Sequence, residues 1–327
     1  MIDPFGRRIS YLRLSLTDRC DLRCTYCMPE RMAFSPRAEM LSIPELERLA
    51  AAFVRKGVRK IRLTGGEPLV RKDVMQLVEH LSRFAAQGTL DELTLTTNGT
   101  RLEQYAAGLA GFGVRRINVS LDSLRHDTYA RITRGGSLDR VLSGIDAAVC
   151  AGIAIKINTV ALRNDNLEEV VDLAEWSHVR GFDHTFIEVM PMGDVGAERI
   201  DQHVPMTEVR RRLEQRWILS DIARNTGGPA RYARTNDGGT IGFITPLSHN
   251  FCEGCNRVRL TCTGRMYLCL GRSEHMDLRP ALRSSSTDDA LDLAIDGAIR
   301  RKPKAHDFVI AAGRRPAVDR QMSVTGG

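Results

Sequence analysis

The sequence predicts an α/β protein: an incomplete (β/α)6 barrel with a polar lumen, followed by a smaller C-terminal domain. Strand-like runs alternate with helical stretches through the first two thirds of the 327 residues. This order is typical of a parallel sheet covered by helices. Each run has one apolar and one polar face, and near residue 220 the alternation stops. We therefore place the barrel in residues 1–220 and the C-terminal domain in residues 221–327.

Six strands are predicted, each followed by a helix. The strands lie near residues 9–17, 60–64, 92–97, 116–122, 153–160 and 184–190. The first helix follows Ser42, which forms a capping box with Glu45 and precedes Pro44 in the first turn. The other helices are expected near residues 71–86, 101–111, 125–133, 138–151 and 166–181.

Polar and apolar residues alternate along each of these strands. In the first, Leu12 and Leu14 alternate with Arg13 and Ser15. The apolar face must turn outward to the covering helices, which leaves the polar face to line the lumen. That is the reverse of a filled eight-stranded barrel, and six strands leave one side open. An open sheet with one solvated face is the alternative. The lumen-facing residues include Arg13, Arg62, Thr96, Ser120, Lys156 and Met190.

The composition is that of an ordinary soluble protein, with 43% hydrophobic and 27% charged residues. No apolar run is long enough to span a membrane, and the first eight residues lack the apolar core of a secretory signal. We therefore expect a cytoplasmic protein, in which the eight cysteines suggest metal binding and not disulfides.

The formal net charge of +7 favours an anionic partner. It does not choose among nucleic acid, anionic lipid and a polyphosphate substrate. The sequence lacks the block of basic residues expected of a nucleic-acid-binding tail, and the run Arg210, Arg211 and Arg212 suits a solvated helix face. We therefore expect neither a nucleic-acid nor a membrane partner.

Three cysteines follow the first strand with the spacing C-x3-C-x2-C: Cys20, Cys24 and Cys27. Zinc sites and ferredoxin clusters normally have four protein ligands, whereas the next cysteine, Cys150, is distant. The spacing therefore predicts a metal group with one open position. Unrelated buried cysteines, or a zinc site with a distant fourth ligand, are the alternatives. Cys150 ends an apolar helical stretch and is expected in the core.

The motif resembles the signature of the radical SAM superfamily, which has an aromatic residue, here Tyr26, before its last cysteine. The resemblance implies a [4Fe-4S] cluster whose open iron binds S-adenosylmethionine (SAM). Residues 64–68, after the second strand, resemble the superfamily's Gly-Gly-Glu-Pro motif, which contacts the amino group of SAM. Residues 96–99 and 119–123 end the third and fourth strands. Each is a weak signal alone, but all lie at strand ends, where ligands of such a barrel are expected.

A second cysteine group follows a predicted hairpin with strands near residues 230–235 and 240–245. Cys252, Cys255 and Cys269 again give three spaced thiols, C-x2-C-x13-C. Because Cys262 lies between them, a four-cysteine zinc site is an open alternative.

Arg257 and Arg259 follow two residues apart, and so lie on one side of an extended segment. Paired guanidiniums suit phosphate or carboxylate oxygens, which a structural zinc site does not need. Two solvated surface arginines are the alternative.

Both cysteine groups, the Asn-Arg-x-Arg sequence and the C-terminal Met-Ser-Val-Thr-Gly-Gly together resemble the GTP 3',8-cyclase family of molybdenum-cofactor biosynthesis. The resemblance runs from residues 3–6 to the last residue and includes residues 302–303 and 306–308. It implies a radical SAM barrel, two [4Fe-4S] clusters and SAM, the second cluster binding the guanine base. In this family a 5'-deoxyadenosyl radical takes hydrogen from C3' of GTP, and the resulting carbon radical attacks C8 of the guanine.

The resemblance also implies a role for individual residues. The ligands of the first cluster are Cys20, Cys24 and Cys27, and those of the second are Cys252, Cys255 and Cys269, without Cys262. The SAM contacts are Tyr26, Gly66, Ser120 and Met190. The GTP contacts are Arg13, Arg62, Thr96, Lys156, Arg257, Val258 and Arg259. The catalytic assignments are Arg13, as a candidate for helping to reduce an aminyl radical, and Gly326 and Gly327 of a tail that reaches the active site. Thr325 departs from the aliphatic residue common before these glycines.

The family's product passes to cyclic pyranopterin monophosphate synthase, and an external electron donor is required. Whether the protein forms a homodimer is left open. Two other hypotheses remain: a radical SAM enzyme with an auxiliary cluster that modifies RNA or a peptide, and a non-enzymatic electron carrier or zinc-binding interaction protein. The former lacks a visible RNA-binding module, and the latter does not need a polar lumen or two groups of three thiols.

Overall fold

The computed structural model describes residues 1–195, 199–249, 251–311 and 316–326. In these ranges the strands are β1 (Tyr11–Ser15), β2 (Lys60–Thr64), β3 (Glu92–Thr97), β4 (Arg116–Ser120), β5 (Ala154–Ala161), β6 (Asp183–Glu188), β7 (Leu219–Ile222), β8 (Arg231–Thr235), β9 (Thr240–Ile244), β10 (Arg257–Leu260), β11 (Arg265–Tyr267) and β12 (His275–Asp277). The helices are α1 (Ile43–Arg55), α2 (Val74–Ala86), α3 (Leu102–Gly111), α4 (His126–Thr133), α5 (Leu138–Cys150), α6 (Val170–Val179), α7 (Arg199–Gln202), α8 (Met206–Leu213), α9 (Arg279–Ser284), α10 (Asp289–Ile299) and α11 (Met322–Thr325). Across the described ranges, no helix combines the length and hydropathy needed to cross a bilayer.

The strands form one open sheet in the order β12-β11-β10-β1-β2-β3-β4-β5-β6-β9-β8-β7. Each neighbouring pair from β1 to β6 is parallel. The predicted α/β class and the six parallel barrel strands are therefore confirmed. A helix follows each strand from β2 to β5, as the alternation predicts.

The C-terminal third of the chain extends this sheet at both edges. β10 pairs in parallel with β1, and β9 pairs in parallel with β6. β11 and β12 continue the first edge in antiparallel fashion, and β8 and β7 continue the second. The β8–β9 hairpin was predictable from its turn. Its addition to the barrel sheet was not, because pairing between distant segments leaves no local pattern.

The apolar face of the sheet packs against the helices. Leu14 of β1, Ile61 of β2 and Phe53 of α1 belong to one buried cluster. The polar face is also removed from solvent, since Arg13 is only 9% exposed and Arg62 only 7%. Buried guanidiniums are costly unless they have polar or anionic partners. The lumen is therefore suited to hold an anionic ligand.

Helix α1 begins with the predicted capping box. Ser42 Oγ accepts a hydrogen bond from Glu45 N at 3.4 Å, and Glu45 Oε2 accepts one from Ser42 N at 2.8 Å. Pro44 lies in the first turn, where its missing N–H costs no hydrogen bond.

The expectation that Cys150 lies in the core is wrong. Cys150 is the last residue of α5, and its side chain is exposed. The buried side of α5 carries Val141, Ile145 and Ala148. These residues follow the spacing of a helical face, and Cys150, two residues beyond Ala148, points away from that face.

Candidate active site

The first cysteine motif lies in the loop after β1, and its backbone is hydrogen-bonded to the end of α4. Thr25 N donates to the Ile132 carbonyl at 2.9 Å, and Cys27 N donates to the Cys24 carbonyl at 3.0 Å. Burial raises the pKa of the Cys20 and Cys24 thiols, and the neighbouring thiols raise it further. A bound metal group would offset these effects, because thiols bind metals as thiolates. Their arrangement therefore fits an iron-sulfur cluster.

The Gly-Gly-Glu-Pro segment after β2 runs against the chain that leads into Cys20. Gly66 N donates to the Thr17 carbonyl at 2.7 Å. A Cβ on Gly66 would collide with the Arg19 carbonyl, so only glycine allows this approach of two backbones. Gly66, a predicted SAM contact, therefore lies directly beside the first cysteine loop.

Glu67 joins the ends of β2 and β3. Its carboxylate accepts hydrogen bonds from Thr97 Oγ1 at 2.8 Å and from Asn98 N at 2.7 Å. Burial raises the pKa of Glu67 to about 7, although these donors oppose the shift. The Asn98 side chain donates to Asp21 Oδ1 at 2.8 Å and lies 3.7 Å from Cys20 Sγ. One hydrogen-bond network thus connects the cysteine loop with two of the predicted strand-end motifs.

Tyr26 of the cysteine loop meets the end of β4. Its hydroxyl donates to Asp122 Oδ2 at 2.7 Å, and the other oxygen of Asp122 accepts from Val160 N at 2.9 Å. Burial raises the pKa of Asp122 to about 6 against the effect of these donors. Ser120, which is half-buried, is the last residue of β4 and lies two residues before Asp122. The fold therefore gathers these predicted SAM contacts at the carboxyl ends of strands.

Cross-strand register places three arginines side by side in the lumen. Arg259 of β10 lies opposite Arg13 of β1, which lies opposite Arg62 of β2. Arg62 Nη1 also donates to Thr96 Oγ1 of β3 at 3.4 Å. Burial lowers the pKa of Arg13 to about 10 and lowers that of Arg259 as well. Like charges in direct cross-strand opposition repel one another, so an anionic ligand would stabilise this row.

The sequence analysis did not assign Tyr11 and Lys60 to the site. Tyr11 lies opposite Arg257 on one side and opposite Lys60 on the other, so these three residues form a second row beside the arginine row. Lys60 Nζ lies 5.1 Å from the Tyr11 ring centroid, and Arg62 Cζ lies 5.8 Å from it. Burial raises the pKa of Tyr11, but Arg62, Arg13 and Lys60 outweigh burial and lower it to about 8. Both residues lie two positions before a predicted contact, and that alternation could have identified them.

Lys156 belongs to β5, which lies three strands from β2 in the sheet. Its Nζ donates to the Tyr232 hydroxyl at 2.6 Å and lies 4.8 Å from the centroid of that ring. Burial lowers the pKa of Lys156 to about 7, and Arg62 adds to this effect. Tyr232 belongs to β8, so its place depends on the long-range pairing of β9 with β6. No local signal in the sequence could have identified it.

A cavity of about 1160 Å³, open to solvent, occupies the lumen. Met190, the remaining predicted SAM contact, lines it, and so do all three cysteines of the second group. The predicted GTP contacts in its wall are Arg13, Arg62, Thr96, Lys156, Arg257, Val258 and Arg259.

The second cysteine group flanks the C-terminal strands at this cavity. Cys252 and Cys255 precede β10, and Cys269 follows β11. Burial disfavours the Cys255 thiolate, but Arg257 and Lys302 outweigh burial and lower its pKa to about 7. Three thiols at the wall of one ligand cavity, with cations beside them, fit a second cluster with an open position.

Cys262 is separated from the other three cysteines of this region. It is buried at the turn between β10 and β11 and is not part of the cavity wall. The charged groups that act on its thiol are Asp18 and Arg71, and burial raises its pKa to about 12. This placement disfavours the four-cysteine zinc site.

Across the described ranges, no three His, Cys, Asp or Glu side chains converge as ligands of a single ion, at either cysteine group.

The C-terminal tail enters the lumen beside β1 and β2. Helix α11 packs against β1, and Arg259 Nη1 donates to the Gly326 carbonyl at 2.6 Å. Gly326 has a φ of +77°, and a Cβ on it would collide with the Thr64 hydroxyl. Both the conformation and the contact therefore require glycine. Thr325 is buried, and the predicted tail residue Gly327 lies outside the described residues.

Two family models match the chain. The Radical SAM superfamily model matches residues 14–177, and the Molybdenum Cofactor Synthesis C model matches residues 182–308. Among solved structures, Streptococcus suis SuiB bound to precursor peptide SuiA has a TM-score of 0.63 at 16% identity, covering 90% of this chain and 67% of that chain. This similarity concerns the fold.

Curated relatives of similar length share more than half of the residues. The GTP 3',8-cyclase of Rhizobium meliloti (strain 1021) is 59% identical over 329 aligned positions, covering 100% of this chain and 94% of the relative. The GTP 3',8-cyclase of Brucella canis is 58% identical, with coverages of 100% and 96%. The chain belongs to the GTP 3',8-cyclase family of the radical SAM superfamily.

Proposed function

We propose that this chain is a radical SAM lyase that converts GTP to (8S)-3',8-cyclo-7,8-dihydroguanosine 5'-triphosphate in molybdenum cofactor biosynthesis. One observation carries the proposal: Arg259, Arg13 and Arg62 lie in register in a cavity whose wall also contains the second cysteine group. A triphosphate supplies negative charge that would stabilise this row. The names of the curated relatives support GTP as the source of that triphosphate.

The first cysteine loop would hold a [4Fe-4S] cluster and SAM. With both bound, the site would supply radical chemistry, namely reductive cleavage of SAM and abstraction of hydrogen from C3' of GTP. Gly66 offers backbone close to the cysteine loop, and Tyr26, which belongs to that loop, is held by its hydrogen bond to Asp122. Met190 and Ser120 complete the proposed SAM contacts. These residues would orient the cofactor relative to the substrate.

The arginine rows would hold the substrate. We assign Arg62, Lys156, Arg257 and Arg259 to the triphosphate or ribose, with Thr96 and Val258 completing the wall. Lys156 has a pKa of about 7 without substrate, and a neighbouring triphosphate would keep it protonated. The substrate would then lie in a cavity lined by a proposed SAM contact, Met190, and by the second cysteine group.

Arg13 and the tail are the proposed catalytic elements. Arg13 lies at the centre of the arginine row, in the strand that leads into the first cysteine loop, where it could help to reduce an aminyl radical. Gly326 reaches the same region through its bond to Arg259. Gly327, which follows it in the sequence, is part of this proposal.

The proposal includes a second [4Fe-4S] cluster at Cys252, Cys255 and Cys269 that binds the guanine base. It also includes an external electron donor, because reductive cleavage of SAM needs an electron. The product would pass to cyclic pyranopterin monophosphate synthase. A homodimer and a cytoplasmic location remain part of the proposal as expectations from the sequence.

Anaerobic turnover tests this function. Iron-loaded protein is mixed with SAM, GTP and a strong reductant, and the products are identified by mass spectrometry. We expect 5'-deoxyadenosine together with a product isobaric with GTP, and no such product when ATP replaces GTP. Formation of 5'-deoxyadenosine with GTP untouched would instead favour a radical SAM enzyme that acts on RNA or a peptide.

A further inference from the structure

Lys302 has no role in the proposed function, yet its ammonium is directed at the second cysteine group. The residue is only 3% exposed. Its Nζ lies 3.6 Å from Cys255 Sγ, donates to the Arg257 carbonyl at 2.9 Å, and also donates to the Leu268 carbonyl. Arg257 follows Cys255 by two residues, and Leu268 immediately precedes Cys269. One ammonium therefore bridges the two segments that carry the cysteines.

Two other basic residues contact the group through its backbone. Arg7 Nη1 donates to the Cys252 carbonyl at 2.7 Å, and Arg320 Nη2 donates to the Cys269 carbonyl at 3.2 Å. These residues come from the N-terminal segment and from the C-terminal tail. The three cysteines are thus each contacted by a basic side chain from elsewhere in the chain, and the contact of Lys302 is to a sulfur.

Among the described residues, no carboxylate forms an ion pair with Lys302. Within the described part of the chain, its bonded partners are two carbonyls and one cysteine sulfur. A buried ammonium is costly unless an anion is close. A cluster held by three thiolates carries negative charge at this position, so the burial of Lys302 becomes favourable when that cluster is bound.

We propose that Lys302 is a positioning residue for the second cluster, which holds the two ligand segments together and raises the cluster's reduction potential through its bond to the Cys255 thiolate. The inference rests on the second cluster of the proposed function. Hydrogen bonds to coordinating sulfur and nearby positive charge both favour the reduced, more negative state of a cluster. Loss of the ammonium therefore lowers the potential or weakens iron binding at this group.

Two variants of the full chain test the proposal: Lys302→Met, which removes the charge, and Lys302→Arg, which keeps it. Each is also made with Cys20, Cys24 and Cys27 replaced by alanine, so that signals of the second cluster are recorded alone. Iron content and the midpoint potential from a redox titration followed by electron paramagnetic resonance are measured anaerobically. Lys56→Met is the matched control, because Lys56 is a part-buried lysine that pairs with Asp296 and not with a cysteine.

We expect Lys302→Met to give a more negative midpoint potential or to lose iron from the second cluster only, and Lys302→Arg to restore both toward the native values. Full iron and an unchanged potential in Lys302→Met would reject the inference. If that variant does not fold, Lys302→Gln replaces it, and the same unchanged potential would reject the inference. A lack of iron in the chain with intact Lys302 and the three alanines would count against the second cluster itself, and so against that part of the proposed function.

Discussion

Arg259 Nη1 donates a hydrogen bond to the carbonyl of Gly326 at 2.6 Å. The same guanidinium lies opposite Arg13 in the lumen and lines the cavity. One side chain therefore contacts both the tail and the space assigned to the substrate. We therefore expect tail placement and binding at the proposed substrate site to be coupled through this arginine.

Replacement of Gly326 by alanine is expected to abolish formation of the GTP-derived product. The new Cβ would collide with the Thr64 hydroxyl and displace the tail from Arg259. Gly152→Ala is the matched control, because Gly152 has the same φ of +77° but open space around it. That control should lose about 1 kcal/mol of stability and keep its activity. Normal turnover by Gly326→Ala would show that the tail contact has no catalytic role.

Replacement of Arg62 by methionine is expected to weaken GTP binding at least about tenfold, or about 1.4 kcal/mol. The change removes one charge from the arginine row but leaves the first cysteine loop intact. SAM cleavage without GTP should therefore be unchanged. The free energy of unfolding should not fall, because the substitution removes one of three neighbouring like charges. Isothermal titration calorimetry under anaerobic conditions measures the affinity. The exposed Arg115, outside the cavity wall, provides the control Arg115→Met. Equal affinities in both variants would contradict the assignment of Arg62.

Individual cysteine substitutions should separate ligands from structural thiols. We expect Cys269→Ala to lose the iron of one cluster, whereas Cys262→Ala keeps all of it, because Cys262 lies outside the cavity wall. Cys24→Ala should abolish 5'-deoxyadenosine formation. Iron and labile sulfide analysis of the purified proteins checks the first two expectations. Equal loss of iron in the Cys262 and Cys269 variants would favour the four-cysteine site.

Acid should destabilise the protein through His184. This ring is fully buried between Ser177 Oγ at 2.8 Å and Thr159 Oγ1 at 3.1 Å. Burial lowers its pKa from 6.5 to about 3. Between these values the unfolded state binds a proton that the folded state does not, so stability falls as the pH falls below 6.5.

The expected loss from pH 7.5 to 5.5 is about 1.4 kcal/mol, and His184→Gln should lack it. Urea unfolding at the two pH values measures the difference between variant and parent. His126→Gln is the control, since His126 is exposed beside Asp139. An identical pH dependence in His184→Gln and the parent would show that another group carries the effect.

The barrel was predictable because its strands have a local pattern. Arg13, Arg62 and Lys156 were assigned to the lumen from two-residue alternation, and the structure puts all three in one cavity wall. Tyr232 and Lys302 could not be assigned in this way, since their contacts join segments distant in sequence. Lys156 meets Tyr232 across 76 residues, and Lys302 meets Cys255 across 47.

Cys150 shows the limit of the same local method. An apolar stretch predicts a helix, but the angular position of a residue decides whether it faces the core. At the end of α5, that position turns the thiol to solvent.

During synthesis, the last of the six parallel strands, β6, ends at Glu188. Both edges of the six-stranded sheet remain unpaired until β9 and β10 have also left the ribosome. Exposed edge strands recruit other chains and promote aggregation. The last third of the protein therefore covers both sheet edges that the first two thirds would leave unpaired. A nascent chain released before residue 240 would expose the unpaired edges of β1 and β6. A chain released after Leu260 would have both edges paired.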